Sequence, residues 1–178
     1  MIECGLNKSQ FTVNVSNRKI VQGLIEDLKI PENKKIKVMR AIDKLDKPDF
    51  GLKGVEELLK KERKDKSGAI TKGADLSNDQ VNEILNFLKI KDLKKLKQNF
   101  KNPLTQEGIK ELEKFFEILS FGSYFDQVKT NFTIVRGLDY YDGFCVETNL
   151  NFKAKNNNGK EVDICLLYTS PSPRDTVT

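Results

Sequence analysis

With 178 residues, 38% of them apolar, and a formal net charge of +5, the chain can form one globular domain or one domain with an insertion. It contains no histidine, which excludes catalytic pairs that need an imidazole base and most zinc sites. Three widely spaced cysteines, no apolar run near the roughly 18 residues of a membrane span and no signal-peptide pattern favour a soluble protein of a reducing cytoplasm.

Alternating apolar residues predict a strand near the start of the chain. Phe11, Val13 and Val15 alternate with polar residues, which is the pattern of a half-buried strand. Asn17 follows as the predicted N-cap of a first helix, and apolar residues then recur at helical spacing. Pro31 is suited to the first turn of a second helix.

The next hundred residues are dominated by helical patterns. Ser77 and Gln80 form a predicted capping box, and Thr105 is the predicted cap of the last helix. The run KKERKDKSG at 60–68 has no apolar residue, which predicts a mobile loop. Residues 17–120 are therefore predicted to be a helical block without strands.

From Tyr124 onward the apolar period changes to two, which predicts strands. One predicted strand contains Phe132 and Ile134, and the tract NNNG at 156–159 predicts a hairpin. Further strand positions are Phe144, Val146, Leu150 and Phe152. The pattern predicts an α+β fold with an antiparallel sheet and an all-helical insertion.

The last thirteen residues, 166–178, differ in composition from the rest. Lysine disappears, while proline, serine and threonine accumulate. We expect a non-native addition, in which case the native protein continues beyond residue 165; a native disordered tail is the alternative. The predicted organisation is a core strand at 1–16, a helical insertion at 17–120, the rest of the core at 121–165, and this tail.

The densest group of polar residues lies in the stretch IVRGLDYYDGFCVET at 134–148. Arg136 at a strand end can bind a phosphate or carboxylate through two parallel hydrogen bonds. Gly137 beside it permits close backbone approach. A surface salt bridge is the alternative interpretation of Arg136.

Two adjacent tyrosines follow in the same stretch. Neighbours in a strand point to opposite faces, so one of Tyr140 and Tyr141 can pack inward while the other lines a pocket. The alternative is a pair of strand-favouring aromatics beside a turn at 142–143. Asp139 and Glu147 are predicted either to orient the arginine or a ligand, or to be exposed strand charges.

Lysine clusters at 60–66 and 89–97 are the other charged feature. They are suited to a phosphate backbone, but no aromatic residues interleave for base stacking. Solvated helix faces are the alternative. The sequence contains no P-loop, no Rossmann glycine fingerprint and no metal-ligand motif, so no metal site is predicted.

The run VRGLDYYDGFCVE at 135–147 resembles the first signature of histidyl-tRNA synthetases, RGLDYYTGxxxE. The sequence departs from that signature at Asp142, Phe144 and Cys145. The segments 16–24 and 41–47 also resemble the region before this signature in the eukaryotic-like branch of the family. The matching residues are Arg136, Gly137, Leu138, Asp139, Tyr140, Tyr141, Gly143 and Glu147.

The resemblance implies a class II synthetase that activates L-histidine with ATP and Mg²⁺ and transfers it to tRNA(His). By resemblance, Arg136 contacts the histidine carboxylate and the α-phosphate, and Tyr140 and Tyr141 line the histidine pocket. The helical insertion approaches the tRNA acceptor arm, and the intact enzyme is a cytoplasmic homodimer. Supporting positions are Gly137, Asp139, Gly143 and Glu147.

Other parts of the family pattern are absent from the sequence: class II motifs 1, 2 and 3, the second histidine signature and the anticodon-binding domain. The run GKEVDIC at 159–165 resembles the lead-in to that second signature. We therefore expect an internal fragment of the catalytic region that is inactive alone. The alternatives are a non-catalytic paralogue or RNA-binding module that kept the histidine pocket, and a helical interaction protein.

Overall fold

The computed structural model describes residues 5–47, 50–64, 68, 70–122, 125–135, 143–155 and 161–168. The predicted α+β class is confirmed, because six helices and six strands are present in this part of the chain. The helices are α1 (Arg18–Asp27), α2 (Glu32–Ile42), α3 (Gly51–Leu59), α4 (Asn78–Leu88), α5 (Leu93–Asn99) and α6 (Pro103–Ser120). The strands are β1 (Phe11–Asn17), β2 (Glu62–Lys64), β3 (Ile70–Lys72), β4 (Val128–Thr130), β5 (Phe144–Lys155) and β6 (Glu161–Tyr168).

Four strands form the main sheet, in the order β4-β1-β5-β6. β5 is antiparallel to both β1 and β6, so the predicted strands at 11–16 and 144–152 are confirmed. β6 reaches Tyr168, three residues past the predicted boundary at 165. β4 is parallel to β1, which corrects the expectation of a purely antiparallel sheet. A parallel neighbour needs a long connection, and here the helical block between β1 and β4 supplies it.

The predicted strand through Phe132 and Ile134 is wrong. β4 ends at Thr130, and both apolar residues are buried without belonging to a strand. The Asn131 side chain accepts a hydrogen bond from the Thr133 backbone N–H at 3.2 Å, which closes a turn at this point. Alternating apolar residues therefore reflect packing into the core here, and not a sheet.

The prediction that residues 17–120 lack strands is also wrong. β2 and β3 form an antiparallel hairpin, so the predicted mobile loop at 60–68 contains a strand at 62–64. The Arg63 guanidinium stacks 3.7 Å from the Phe50 ring centroid, and its Nε donates to Glu57 at 3.1 Å. These contacts hold a polar strand that has no apolar residue of its own.

Local capping signals were predicted correctly at two helices. Asn17 accepts a hydrogen bond from the Lys19 backbone N–H at 3.1 Å at the start of α1. Ser77 and Gln80 form the expected reciprocal capping box at α4. Pro31 directly precedes α2 as its N-cap.

The predicted cap of α6 is wrong by three residues. Asn102 is the N-cap, and its Oδ1 accepts from the Leu104 N–H at 2.9 Å. Thr105 instead lies inside the first turn, and its buried hydroxyl donates to the Ile20 carbonyl at 3.2 Å. α6 is thereby fixed against α1, where Gly23 has no side chain to separate the two helices.

A single hydrophobic cluster joins the helices to one face of the main sheet. Val15 of β1, Phe132 and Val135 belong to the same buried cluster as residues of α1 to α6. No helix within the described ranges combines the length and the apolar character that crossing a membrane requires. The core therefore includes the chain up to Val135, directly before residue 136.

Candidate functional site

Strands β1 and β5 of the main sheet present one apolar and one polar face. Residues opposite each other in antiparallel strands share a face, so Val15 and Val146 lie together, and both pack on the helical core. The other face, which we call the polar face, is formed by the intervening positions of β1 and β5. Its paired residues are Thr12 with Asn149, Asn14 with Glu147, and Ser16 with Cys145.

Glu147 lies in the middle of the polar face. It is half-buried and opposite Asn14, which in turn pairs with Lys129 of β4. Adjacent strands are about 4.8 Å apart, so these three residues form a row about 10 Å wide. The row places a carboxylate, an amide and an ammonium group on one surface, which is suited to a small polar ligand with charges of both signs.

The later part of the predicted signature, from Gly143 onward, is fixed by the junction of β1 and α1. The Arg18 backbone N–H donates to the Gly143 carbonyl at 2.9 Å, and Asn17 pairs with Phe144. The Phe144 ring packs 5.7 Å from the ring of Phe115 in α6. The start of β5 is therefore held both by the sheet and by the helical block.

A charged network strengthens the same junction. Lys19 Nζ donates to Glu107 at 2.8 Å and to Glu111 at 2.5 Å, and Asn17 Nδ2 also donates to Glu111 at 2.5 Å. The hydrogen bonds to Glu107 and then Glu111 raise the pKa of Lys19 above its usual value. The Lys19 hydrogen bond, and after it the Asn17 hydrogen bond, lower the pKa of Glu111 although partial burial opposes them.

This network predicts an acid-sensitive contribution to stability. The folded-state pKa of Glu111 lies below its ordinary value of 4.5, so its stabilising contribution is complete above that pH and is lost as the pH falls through the folded-state value. We expect the difference in unfolding free energy between the wild type and Glu111→Gln to be constant from about pH 6 to 8 and to shrink below about pH 4.5. Urea unfolding at several pH values measures it, and a constant difference down to about pH 3 contradicts the assignment.

Two of the seven predicted site residues lie in the described part of the chain. Gly143 directly precedes β5, and Glu147 lies within the first half of that strand. The other five lie outside the described residues, so their predicted roles stay predictions: Arg136, Gly137, Asp139, Tyr140 and Tyr141. The structure fixes the chain on both sides of them, at buried Val135 and at Gly143.

Sequence reasoning missed Asn14 and Lys129 as partners of Glu147. The alternation of Thr12, Asn14 and Ser16 with apolar residues predicts only a half-buried strand, although the same period in β5 carries Glu147. Only the strand pairing brings the two polar sets onto one surface.

The lysine clusters are partly engaged in ion pairs. Lys60 pairs with Glu56 at 2.7 Å, and Lys97 pairs with Glu113 at 2.8 Å. Such pairs favour the interpretation of these clusters as solvated helix faces. Among the described residues, no group of three or more carboxylate or cysteine side chains is placed to bind a metal ion.

No protein-family model matches the chain. Histidine–tRNA ligase of Pelagibacter ubique is 76% identical over 164 residues, which cover 92% of this chain and 35% of that protein. Histidine–tRNA ligase of Bartonella bacilliformis is 37% identical over 169 residues, covering 89% of this chain and 34% of that protein.

Solved structures agree with these sequence relatives. The histidyl-tRNA synthetase of Nostoc sp. PCC 7120 superposes with a TM-score of 0.65 at 26% identity, over 84% of this chain and 34% of that one. A Bacillus halodurans protein described as an ATP phosphoribosyltransferase regulatory subunit/histidyl-tRNA synthetase gives a TM-score of 0.63 at 17% identity, which shows a shared fold.

The fold and the sequence relatives match the chain to one segment of proteins in the aminoacyl-tRNA synthetase class. Within that class it is a member of the histidine–tRNA ligase family, and the predicted resemblance is confirmed. The chain spans about a third of the length of the curated relatives it matches.

Proposed function

We propose that the chain is a segment of the catalytic region of an enzyme that joins histidine to tRNA(His). The whole enzyme activates histidine with ATP, accompanied by Mg²⁺, and transfers it to the tRNA. The observation that carries the proposal is the 76% identity to histidine–tRNA ligase of Pelagibacter ubique along 92% of the chain. The polar face supports it, because the signature residue Glu147 lies there between two other strands.

Arg136 is the proposed catalytic cation. Histidine activation places the histidine carboxylate against the α-phosphorus of ATP, and negative charge develops on the oxygens of that phosphorus. A guanidinium held in place before the reaction stabilises this charge without reorganising water. The chain before Arg136 supports such a role, because Val135 is fully buried and fixes the backbone there.

Tyr140 and Tyr141 are the proposed wall of the histidine pocket. A phenol hydroxyl that hydrogen-bonds an imidazole nitrogen rejects similar side chains that lack this nitrogen, because its own partner is then lost. Glu147 and Asp139 are proposed to orient the ligand or Arg136. Gly137 and Gly143 are proposed to let the backbone approach the ligand closely.

The helical block at 17–120 is the proposed contact with the acceptor arm of tRNA(His). Its net positive surface supports contact with a phosphate backbone. By analogy with the family, the whole enzyme is proposed to be a cytoplasmic homodimer. No residue of this chain is assigned to Mg²⁺, which is proposed to arrive with ATP as a substrate.

The chain alone is expected to be inactive, since class II motifs 1 to 3 are absent from its sequence. The matched test compares the purified chain with a chimera, in which residues 1–165 replace the corresponding segment of the Pelagibacter ubique enzyme. We expect histidine-dependent ATP–pyrophosphate exchange from the chimera and none above background from the chain. Clear exchange by the chain alone contradicts the expected inactivity.

A non-catalytic histidine-binding module is the second candidate. The Bacillus halodurans protein supports this second candidate, because it shares the fold and is named as a regulatory subunit of ATP phosphoribosyltransferase as well as a histidyl-tRNA synthetase. The chimera separates the two functions: a folded chimera that binds histidine without catalysing exchange favours the module, whereas exchange favours the synthetase.

A further inference from the structure

The C-terminal half of α6 and the start of β5 share an exposed apolar surface. Ile118 is 62% exposed and Phe121 is 86% exposed, and the two lie three residues apart on one side of the helix end. Phe125 and Phe144 are 45% and 43% exposed. We call this surface the aromatic patch, and its members are Phe115, Phe116, Ile118, Phe121, Phe125 and Phe144.

The aromatic patch is a connected surface and not a set of scattered side chains. The Phe116 ring centroid lies 5.4 Å from that of Phe115 and 6.2 Å from that of Phe125, and Phe115 also contacts Phe144. Phe115, Ile118 and Phe144 line a groove of about 470 Å³. Phe115 packs against the hydrophobic core at the same time, so the patch continues the core outward to the surface.

The size of the aromatic patch favours an occupant from the same polypeptide over a second copy of the protein. Its exposed side chains present roughly 450 Å² of apolar surface, and patches of several hundred Å² are often binding surfaces. A stable pair of protein chains buries about 800 Å² on each partner, which is nearly twice as much. A surface of this size that continues a core is suited to one packed segment of the same domain.

The ring geometry and the charges describe the segment that fits. The planes of Phe115 and Phe116 meet at 83°, so these rings cover each other's faces and are poorly suited to stacking on nucleic-acid bases. Lys110 and Lys114, both exposed, also line the groove. The third charged lining residue, Glu111, is already engaged with the Lys19 network. The fitting segment is therefore apolar, with acidic residues beside it.

The register of the sheet indicates which part of the polypeptide reaches the aromatic patch. β6 is antiparallel to β5, and its last residue, Tyr168, lies opposite Val146, two positions from Phe144. A polypeptide that continues from β6 therefore leaves the sheet beside the patch. β1, in contrast, begins with Phe11 opposite Leu150, which is about 20 Å along β5 from Phe144.

We propose that the aromatic patch is the docking surface for an apolar segment of the same polypeptide that follows β6 in the whole enzyme. The chain matches 35% and 34% of the length of two curated relatives, so about two thirds of such an enzyme is available to supply the segment. The inference goes beyond the proposed function and depends on how the enzyme folds, not on its catalysis.

Thiol labelling of single-cysteine positions tests whether the aromatic patch is covered. Ile118→Cys and its matched control Ile70→Cys replace isoleucines that are 62% and 61% exposed, and Ile70 lies in β3. Peptide mass spectrometry follows iodoacetamide labelling at each position, and both are expected to react at similar rates in the chain alone. In the chimera, Ile118→Cys is expected to react at least about tenfold more slowly, whereas Ile70→Cys keeps its rate. Equal labelling of Ile118→Cys in the chain and the chimera overturns the proposal.

A photoreactive benzophenone amino acid in place of Phe121 identifies the occupant. Irradiation of the chimera is expected to join this position to a peptide that follows residue 165, and the product is expected to migrate as a single chain in denaturing electrophoresis. A product of two joined chains, a cross-link to a peptide that precedes β1, or no cross-link contradicts the proposal. Neither readout needs exchange activity, so an inactive chimera with the expected labelling and cross-link contradicts only the proposed function.

Discussion

Replacing Arg136 with alanine in the chimera is expected to abolish histidine activation without unfolding the protein. The guanidinium is proposed to meet the negative charge that develops at the α-phosphate, and removing one preorganised stabilising group costs roughly 10²- to 10³-fold in kcat. Arg136→Lys keeps the charge but not the paired hydrogen bonds, so it is expected to recover only part of this loss. Single-turnover formation of histidyl-adenylate measures the effect.

The control for this prediction is Arg40→Ala, which removes an exposed arginine from α2. It changes the net charge by the same amount and is expected to leave kcat near that of the chimera. Circular dichroism and thermal unfolding establish that both variants are folded. Unchanged adenylate formation by Arg136→Ala contradicts the catalytic role proposed for this residue.

Gly23→Ala is expected to cause the largest loss of stability, although alanine is the better helix former by about 1 kcal/mol. A Cβ at Gly23 would contact Thr105 Oγ1 and lie 2.6 Å from Asn102 Oδ1 and 2.7 Å from the Thr105 backbone nitrogen. α6 must then move away from α1 and lose the buried hydrogen bond between Thr105 and Ile20. We expect a net loss of about 3 kcal/mol in the unfolding free energy, measured by urea denaturation.

Gly122→Ala, after the end of α6, is the matched control, because among the described residues its Cβ would meet only the Leu119 carbonyl, at 3.4 Å. It is expected to change the unfolding free energy by less than about 0.5 kcal/mol. If Gly23→Ala stabilises the chain as helix propensity alone predicts, the close approach of α1 and α6 is not a determinant of stability.

Features set by short-range chemistry could be predicted from the sequence. The caps at Asn17 and Ser77 depend on side-chain oxygens within three residues of the N–H groups that they accept from, so the local sequence contains the whole interaction. The cap of α6 was missed because Thr105 and Asn102 both have a suitable oxygen. Pro103 at the first helical position was the signal that favours Asn102.

Features set by long-range contacts could not be predicted. The β2–β3 hairpin depends on Arg63 packing against Phe50, and nothing in the polar run at 60–68 indicates that contact. Phe132 and Ile134 show a strand-like period, yet they are buried in a turn because the core requires apolar groups there. In so short a stretch, apolar residues at every second position can result either from a strand or from a turn that packs into the core.

In the candidate site, too, local features could be predicted and long-range features could not. The signature at 135–147 is contiguous, so the resemblance could be recognised from the sequence, including Glu147. Asn14 is 133 positions from Glu147 along the chain, and only the register of β1 with β5 makes them neighbours. The chemical groups could therefore be identified from the sequence, but the surface that they share could not.

The amino-acid specificity of ATP–pyrophosphate exchange by the chimera tests the central claim most directly. Each of the twenty amino acids is supplied in turn with ATP and Mg²⁺, and the rate is compared with that of the Pelagibacter ubique enzyme. If this chain supplies the histidine pocket, histidine alone is expected to support exchange, at a rate within about tenfold of that enzyme. A folded chimera that shows no exchange with histidine, or that exchanges equally with other amino acids, contradicts the account.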